Sequence, residues 1–290
     1  FKELSTYDFE QVIKNLIATP TILNIYGNHF NQDTDMLCNQ MREDASKLKD
    51  ILVSTIAKKH PNRVSDVEDR HYSSCRQFIS KFSKVYTLNY DLLLYWSMLH
   101  DDPINKFKID DGFRHSDHRF GEKYRTFESP HSPTFFFLHG ALHIFDAGSE
   151  VRKFTWVDTR TPLIEQIRSS IDQGMFPLFV SEGDSEEKMT KINHSSYLSK
   201  ALRSFEAICE KKDGALFIFG HSLDENDAHI LKKIDDGKIA TIFISLFNHP
   251  QYGYDQATID RALRLGNGRG HNRPSIILFD SASANVWGKS

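Results

Sequence analysis

The sequence predicts an α/β fold built on a mainly parallel, three-layer sheet, and three observations carry that prediction. Strand-like apolar runs alternate along the chain with stretches of helical periodicity, the pattern of successive β–α–β units. Three of these runs are Val85-Tyr86-Thr87-Leu88, Thr134-Phe135-Phe136-Phe137-Leu138 and Ala215-Leu216-Phe217-Ile218-Phe219, each rich in β-branched or aromatic residues. Each stops at small or polar residues: Asn89-Tyr90-Asp91, His139-Gly140 and Gly220-His221-Ser222. In an open α/β sheet, ligands bind beyond the carboxyl ends of the strands, so the same joints that mark the fold mark where chemistry is expected.

Taken in order, Ser5-Thr6-Tyr7-Asp8-Phe9-Glu10 is a turn and helix cap. Phe9, Val12, Ile13, Leu16 and Ile17 follow at helical spacing, up to a stop at Pro20. Over 34–59, Met36, Leu37, Met41, Leu48, Ile51, Leu52 and Ile56 recur among charges as one face of a long amphipathic helix, terminated by His60-Pro61-Asn62. A further helix over about 67–82 leads into the first strand, and an apolar helix over 92–99 follows it. Between 101 and 133 the composition turns to Asp, His, Arg, Gly and Pro, an excursion over the surface. Residues 154–157 form a hairpin partner, Pro162 opens a helix through Ile171, and 176–180 make a short strand ending in Ser181-Glu182-Gly183-Asp184. A helix over about 195–210 precedes the Ala215 run. Behind that run come a helix carrying Ile230, Leu231 and Ile234, an interior strand over 239–247, a helix over 255–265 and a last strand over 275–279. Gly266-Asn267-Gly268-Arg269-Gly270 is a flexible turn. The organisation is a single domain, 1–290, with a helical part over 1–82 as a small cap and a sheet core over 83–290.

Bulk properties exclude several classes. A formal net charge of -3 with 26% charged residues gives no basic balance for direct nucleic-acid binding. No apolar run approaches the roughly 20 residues that span a bilayer, so no membrane role is expected. Cys38, Cys75 and Cys209 lie far apart with no paired spacing, which indicates neither a disulfide framework nor a zinc knuckle and points to a cytoplasmic location. The chain opens on Phe1 rather than Met, and an upstream piece is expected.

Several residues at the joints can carry chemistry. Asn89 and Asp91 are two apart and share a face if the strand continues. The amide can bond a ribose hydroxyl or orient a water; the carboxylate can fix ribose hydroxyls or cap the helix at Leu92, and both readings stand. His139 titrates near neutrality as a general base does, and Gly140 leaves room for a substrate to approach. A satisfied structural histidine would look the same, and His143 is the weaker candidate. Gly220-His221-Ser222-Leu223-Asp224 lies between a strand and a helix, where backbone amides favour phosphate, although a glycine needed for a tight turn would look identical. Asp224 or Asn226 would cap that helix, with Asp227 in its first turn. Among the 14 histidines none pair at metal-ligand spacing on a helix, and His115 and His118 fall in the polar excursion, so no metal is expected.

In this order, the joints resemble the sirtuin-like superfamily, in its bacterial branch of SIR2-like NAD-processing domains. Thr87-Leu88-Asn89-Tyr90-Asp91 is similar to a Thr-x-Asn-x-Asp signature, Leu138-His139-Gly140 to a catalytic histidine-glycine pair, and Gly220 through Asp227 to a late Gly-x-Ser-Leu-x-Asp segment. Asp8-Phe9-Glu10, Ser181-Glu182-Gly183 and Val286-Trp287-Gly288 resemble the DUF4917 subfamily, so the likeness spans about 8–288. The resemblance implies a Rossmann-like core and hydrolysis of the nicotinamide-ribose bond of NAD by an anti-phage defence effector. A module that binds NAD or ADP-ribose without turnover is the alternative. It implies Asn89, His139 and Asp91 as catalytic residues and Thr87, Tyr90, Gly140, Gly220, His221, Ser222 and Asp227 as NAD-binding ones. The partner implied is NAD or a related nucleotide, with a homo-oligomer or an activating protein left open. The glycine-rich turn with which the family opens has no counterpart here and is expected upstream of Phe1. The lack of paired cysteines favours NAD hydrolysis over lysine deacylation.

Overall fold

The computed structural model describes residues 9–30, 32–57, 60–100, 109–114, 122–124, 133–147, 150–154, 161, 163–173, 175–180 and 185–288. Two long helices, α1 (Phe9–His29) and α2 (Asp35–Ala57), pack side by side and are followed by α3 (Asp69–Ile79). The repeat of 34–59 becomes α2, which stops ahead of His60-Pro61, but its apolar residues do not form the buried face: Met36, Leu37 and Ile51 are exposed, and Cys38 and Ala45 are buried instead. Pro20 does not end α1; the helix runs through it to His29. An interior proline removes one N–H and crowds the carbonyl four residues back, at a cost of about 3 kcal/mol. Packing on α2 overrides that local preference: buried Cys38 places its thiol on the Pro20 carbonyl (3.5 Å) and on Asn24 Oδ1 (3.0 Å).

The first apolar run forms β1 (Lys84–Thr87), and α4 (Leu93–Leu99) follows. The described part of the polar excursion contains two short strands, β2 (Phe113–Arg114) and β3 (Glu122–Tyr124). Next come β4 (Thr134–Phe137), β5 (Gly140–Asp146), β6 (Val151–Lys153), α5 (Leu163–Asp172) and β7 (Phe176–Phe179). β1 and β4 pair in parallel, Val85 opposite Phe135 and Thr87 opposite Phe137. The others form an antiparallel sheet in the order β2-β3-β6-β5-β7, the largest sheet of the described residues.

That sheet corrects the expectation of a mainly parallel arrangement. The expected hairpin partner at 154–157 is instead the pair β5–β6; of the expected stretch, Phe154 follows β6 and 155–157 lie outside the described residues. β5 escapes the alternation rule because six of its seven residues are buried, so no polar face marks it.

The carboxyl-terminal third meets expectation more closely. It contains α6 (Ser185–His194), α7 (Ser196–Cys209), β8 (Ala215–Ile218), α8 (Ala228–Asp236), β9 (Thr241–Leu246), β10 (Asn248–His249), β11 (Gly253–Tyr254), α9 (Gln256–Arg264) and β12 (Ser275–Asp280). Ser195 caps α7 by accepting the Leu198 N–H. Tyr197, Leu198, Ala201, Leu202, Phe205 and Cys209 then fall on one face, each large side chain contributing about 1.5–3 kcal/mol of burial. β12, β9 and β8 form a parallel sheet in that order, with Phe217 opposite Phe243 and Phe243 opposite Ile277. No helix among the described residues is long and apolar enough to cross a membrane.

Candidate functional site

A cleft of about 800 Å³ opens beyond the carboxyl ends of β8, β9 and β12. Gly220, His221 and Ser222 line it from the end of β8, Phe247, His249 and Tyr252 from the segment after β9, and Ser281 from the end of β12. Gly220 has φ +66°, a backbone conformation that glycine adopts freely, and its N–H donates to Ser245 Oγ at 2.9 Å. The Ser222 carbonyl is held from α9 by Arg261 (3.2 Å) and Thr258 Oγ1 (3.4 Å). Phe247, Tyr252 and Tyr254 present exposed rings around the opening, with Tyr252 stacked on His249 at 4.8 Å.

His221 links the cleft to a buried polar cluster. The Leu223 N–H donates to its Nδ1 (2.8 Å), so that nitrogen is unprotonated and Nε2 carries the proton given to Asp227 Oδ2 at 3.1 Å. Leu223 itself is buried with φ +57°, a costly conformation for a branched side chain that the turn maintains. Lys188 donates to Asp227 Oδ1 (3.0 Å) and to the Asn226 carbonyl (2.9 Å). His139, 4% exposed, lies with Nε2 3.9 Å from Asp227 Oδ1 and 3.0 Å from Nε2 of His229.

The charges follow from this packing. The hydrogen bond from His221 holds the Asp227 carboxyl well below the usual carboxylate range; burial opposes this and the Lys188 ammonium adds to it. Burial, then the neighbouring His229, lowers His139 to about 4; burial lowers His229 to about 4 as well. Both rings are therefore neutral at pH 7, and one donates its Nε2 proton to the other. His229 Nδ1 is buried without a partner.

These histidines titrate near 6.5 when unfolded and near 4 when folded, so between those values the unfolded chain binds more protons. Their contribution to stability is present above pH 6.5 and is lost as pH falls through 4, by at most about 1.4 kcal/mol per pH unit per histidine. Urea midpoints measured from pH 7 to pH 4.5 should fall accordingly, and the slope should lessen in a His139→Gln, His229→Gln double variant. A pH-independent midpoint would contradict the assignment.

The other expected site residues lie nearby in part. The β1–β4 ladder pairs each residue with one fifty positions on, as Lys84 with Thr134, and the Leu138 N–H still reaches the Thr87 carbonyl at 2.9 Å. Asn89 and His139 thus stand at matching positions just past neighbouring strand ends, Asn89 exposed with its N–H on Thr87 Oγ1 (3.0 Å). Asp91 shares no strand face with Asn89, because the strand has ended at Thr87. Its Oδ1 accepts the Leu93 N–H (2.8 Å) from one position ahead of Leu92, which is the residue at the cap of α4 and makes no side-chain cap bond. Tyr90 contributes its carbonyl to Leu142, and Gly140 turns the chain from β4 into β5 at φ +76°. Asp227 is the residue before α8 rather than in its first turn, with its carboxylate turned to Lys188 and His221. Asp224 caps the short 3-10 turn ahead of it. His143 is buried and stacked on Tyr95 (3.9 Å) with no partner on either ring nitrogen, a packing residue kept neutral by burial. His115, His118 and 181–184 lie outside the described residues.

Three participants were not legible in the sequence. Lys188 sits in a run of charges, His229 carries no motif, and His60, read as a helix terminator, accepts the Leu92 N–H at 2.9 Å. Together His139, Asp227 and His229 offer ligand atoms within 4.8 Å of one another, a grouping close enough to hold a metal ion that spacing along the chain does not reveal. The Lys188 ammonium already supplies positive charge to the same carboxylate, and a metal ion would have to displace it.

A family model described as "Domain of unknown function (DUF4917)" matches residues 1–287. No curated protein matches the chain.

Proposed function

Because the chain belongs to the DUF4917 family, whose description names no activity, we propose its function from the site: hydrolysis of the nicotinamide-ribose bond of NAD. The reading includes a Rossmann-like core and the SIR2-like resemblance of the joints. The observation that carries it is the junction of two features through His221. A cleft lies at the carboxyl ends of three parallel strands, where open α/β sheets take nucleotides. Behind His221 and Asp227 stands a neutral, buried histidine at the end of a fourth strand.

In this reading the exposed ring of Tyr252 stacks on adenine, and the Gly220-His221-Ser222 turn meets the ribose and phosphates. Asn89 and His139 face the nicotinamide ribose. The C1′–N bond breaks with its electron pair going to nicotinamide, leaving an oxocarbenium-like ribose. Water adds to C1′ and His139 takes its proton; Asp227, 3.9 Å away, stabilises the imidazolium so formed. Incubation of the protein with NAD should yield nicotinamide and ADP-ribose in equal amounts by chromatography. No release under any condition in which NAD binds would reject hydrolysis.

Burial of His139 and its bond to His229 favour a second reading, a module that binds NAD or ADP-ribose without turnover. Tight calorimetric binding with no nicotinamide release would select it. Both readings expect Tyr252→Ala to weaken ADP-ribose binding about 5- to 100-fold, the worth of one base stacked on an aromatic ring. An unchanged Kd would remove adenine from this end of the cleft.

A further inference from the structure

The side of α1 that faces away from α2 is largely apolar and open to solvent. From Asn15 to Gln32 the chain contains no Asp, Glu, Lys or Arg. The helix packs on α2 through one side, where Pro20 and Gly27 are buried and Asn24 Oδ1 accepts the Thr34 hydroxyl and the Cys38 thiol, each at 3.0 Å. On the opposite side Ala18, Ile22, Ile25 and His29 are all exposed. They follow one another at spacings of four, three and four residues, the repeat by which helices pair along a seam. Ile22, Ile25 and Tyr26 are 56%, 64% and 62% exposed, and Phe30, just past the helix, stacks on Tyr26 with ring centroids 6.4 Å apart. Met36 and Leu37 at the start of α2 are exposed as well. These six residues leave roughly 800 Å² in water, taking about 200 Å² for a whole large side chain. Single exposed apolar residues are ordinary, whereas an uncharged patch of this extent marks a contact surface.

We infer that a second copy of this chain docks on that seam, α1 against α1 as an antiparallel pair about a two-fold axis near Ile22. A two-fold interface sets the same surface against itself. Near the axis any charge would meet its own copy, so a stretch without charge suits self-association. The area agrees, because a standard interface takes about 800 Å² from each partner. The antiparallel direction follows from side-chain size. Ala18 and Tyr26 lie four residues either side of Ile22, so the pairing brings the large ring of each copy to the small side chain of the other. A parallel pair would set Ala18 on Ala18 and leave a gap between larger neighbours. A membrane surface is the poorer occupant: a helix lying in one carries Lys and Arg beside its apolar face, and α1 has neither from Asn15 on. The inference concerns the outer side of α1 and stands or falls apart from the NAD reading.

Sedimentation velocity of the protein at micromolar concentration should give twice the mass of one chain. Ile25→Lys places a charge in each half of the seam and should weaken association at least about 100-fold, the effect of losing a central anchor twice over by symmetry. The position is exposed in the single chain, so the circular dichroism spectrum should not change. Ile22→Cys should form an intermolecular disulfide on mild oxidation, because the axis brings the two copies of that position together while Cys38, Cys75 and Cys209 are buried. His29→Cys should form none, since antiparallel helices carry its two copies about 20 Å apart along the seam. Should Ile25→Lys fail to fold, the two cysteine variants decide. A wild-type protein that stays monomeric would overturn the inference, including one that instead sediments with vesicles of phosphatidylcholine and phosphatidylglycerol. So would a dimer that Ile25→Lys leaves intact, or cross-linking through His29→Cys.

Discussion

Replacing His139 by alanine is expected to lower nicotinamide release from NAD at least about 100-fold, within the usual worth of a positioned general base. The loss should fall on kcat more than on KM, because the imidazole takes a proton in the transition state and contributes little to holding the substrate. Asn89→Ala, at the matching position on the neighbouring strand end, should also abolish release. Chromatography of nicotinamide measures both, and circular dichroism checks that the fold survives, a needed control because His139→Ala leaves His229 Nε2 without its 3.0 Å partner. With His139 lowered to about 4, the wild-type rate should persist in mildly acid solution and fall only as pH approaches that value. Retained activity in both variants would end the assignment of these residues.

The largest effect on stability is expected from Lys153→Met, a loss of about 3–5 kcal/mol, the usual result of removing one partner of a buried ion pair. Lys153 and Asp111 meet at 2.7 Å with side chains 7% and 10% exposed. Methionine is of similar length but lacks the ammonium that lies 5.5 Å from the ring centroids of Tyr95 and Phe113, and it leaves the carboxylate buried without its ion partner. Thermal denaturation should show a midpoint lowered by about 5–15 °C, by the usual scaling of free energy to temperature. The Asp111→Asn, Lys153→Met double variant should recover part of the loss, since it removes the buried charge that causes it. A midpoint within about 1 °C of wild type would show that the pair is not desolvated in solution.

This ion pair also illustrates what kind of information a sequence holds. Asp111 falls in the polar excursion and Lys153 beside a misplaced hairpin, and neither neighbourhood advertises a buried charge. The strands of that antiparallel sheet are short or buried on both faces, so the period-2 signal that marks a half-exposed strand is missing. α3, α7 and α9, by contrast, bury one face and expose the other, and their periodicity is plain in the sequence. Pro20 is the opposite failure: a strong local signal, overridden by contacts with α2 that no local reading includes.

By itself the sequence determined the strand-to-polar joints, because an apolar run that stops at Asn89, His139 or Gly220 is a local pattern and strand ends are local events. It also determined that His221 and Ser222 stand at a turn ahead of a helix, since Asp224 and the glycine announce it. What tertiary structure alone decided is which side chains meet. Asp227 bonds His221 within the turn between β8 and α8, but Lys188 comes from α6, and its ion pair adds to the depression of the Asp227 carboxyl only once α6 packs there. His139 and His229, ninety residues apart, become neutral partners because burial removes water from both rings at once. Desolvation and hydrogen-bond geometry are properties of assembled neighbours, and no spacing along a chain encodes them directly.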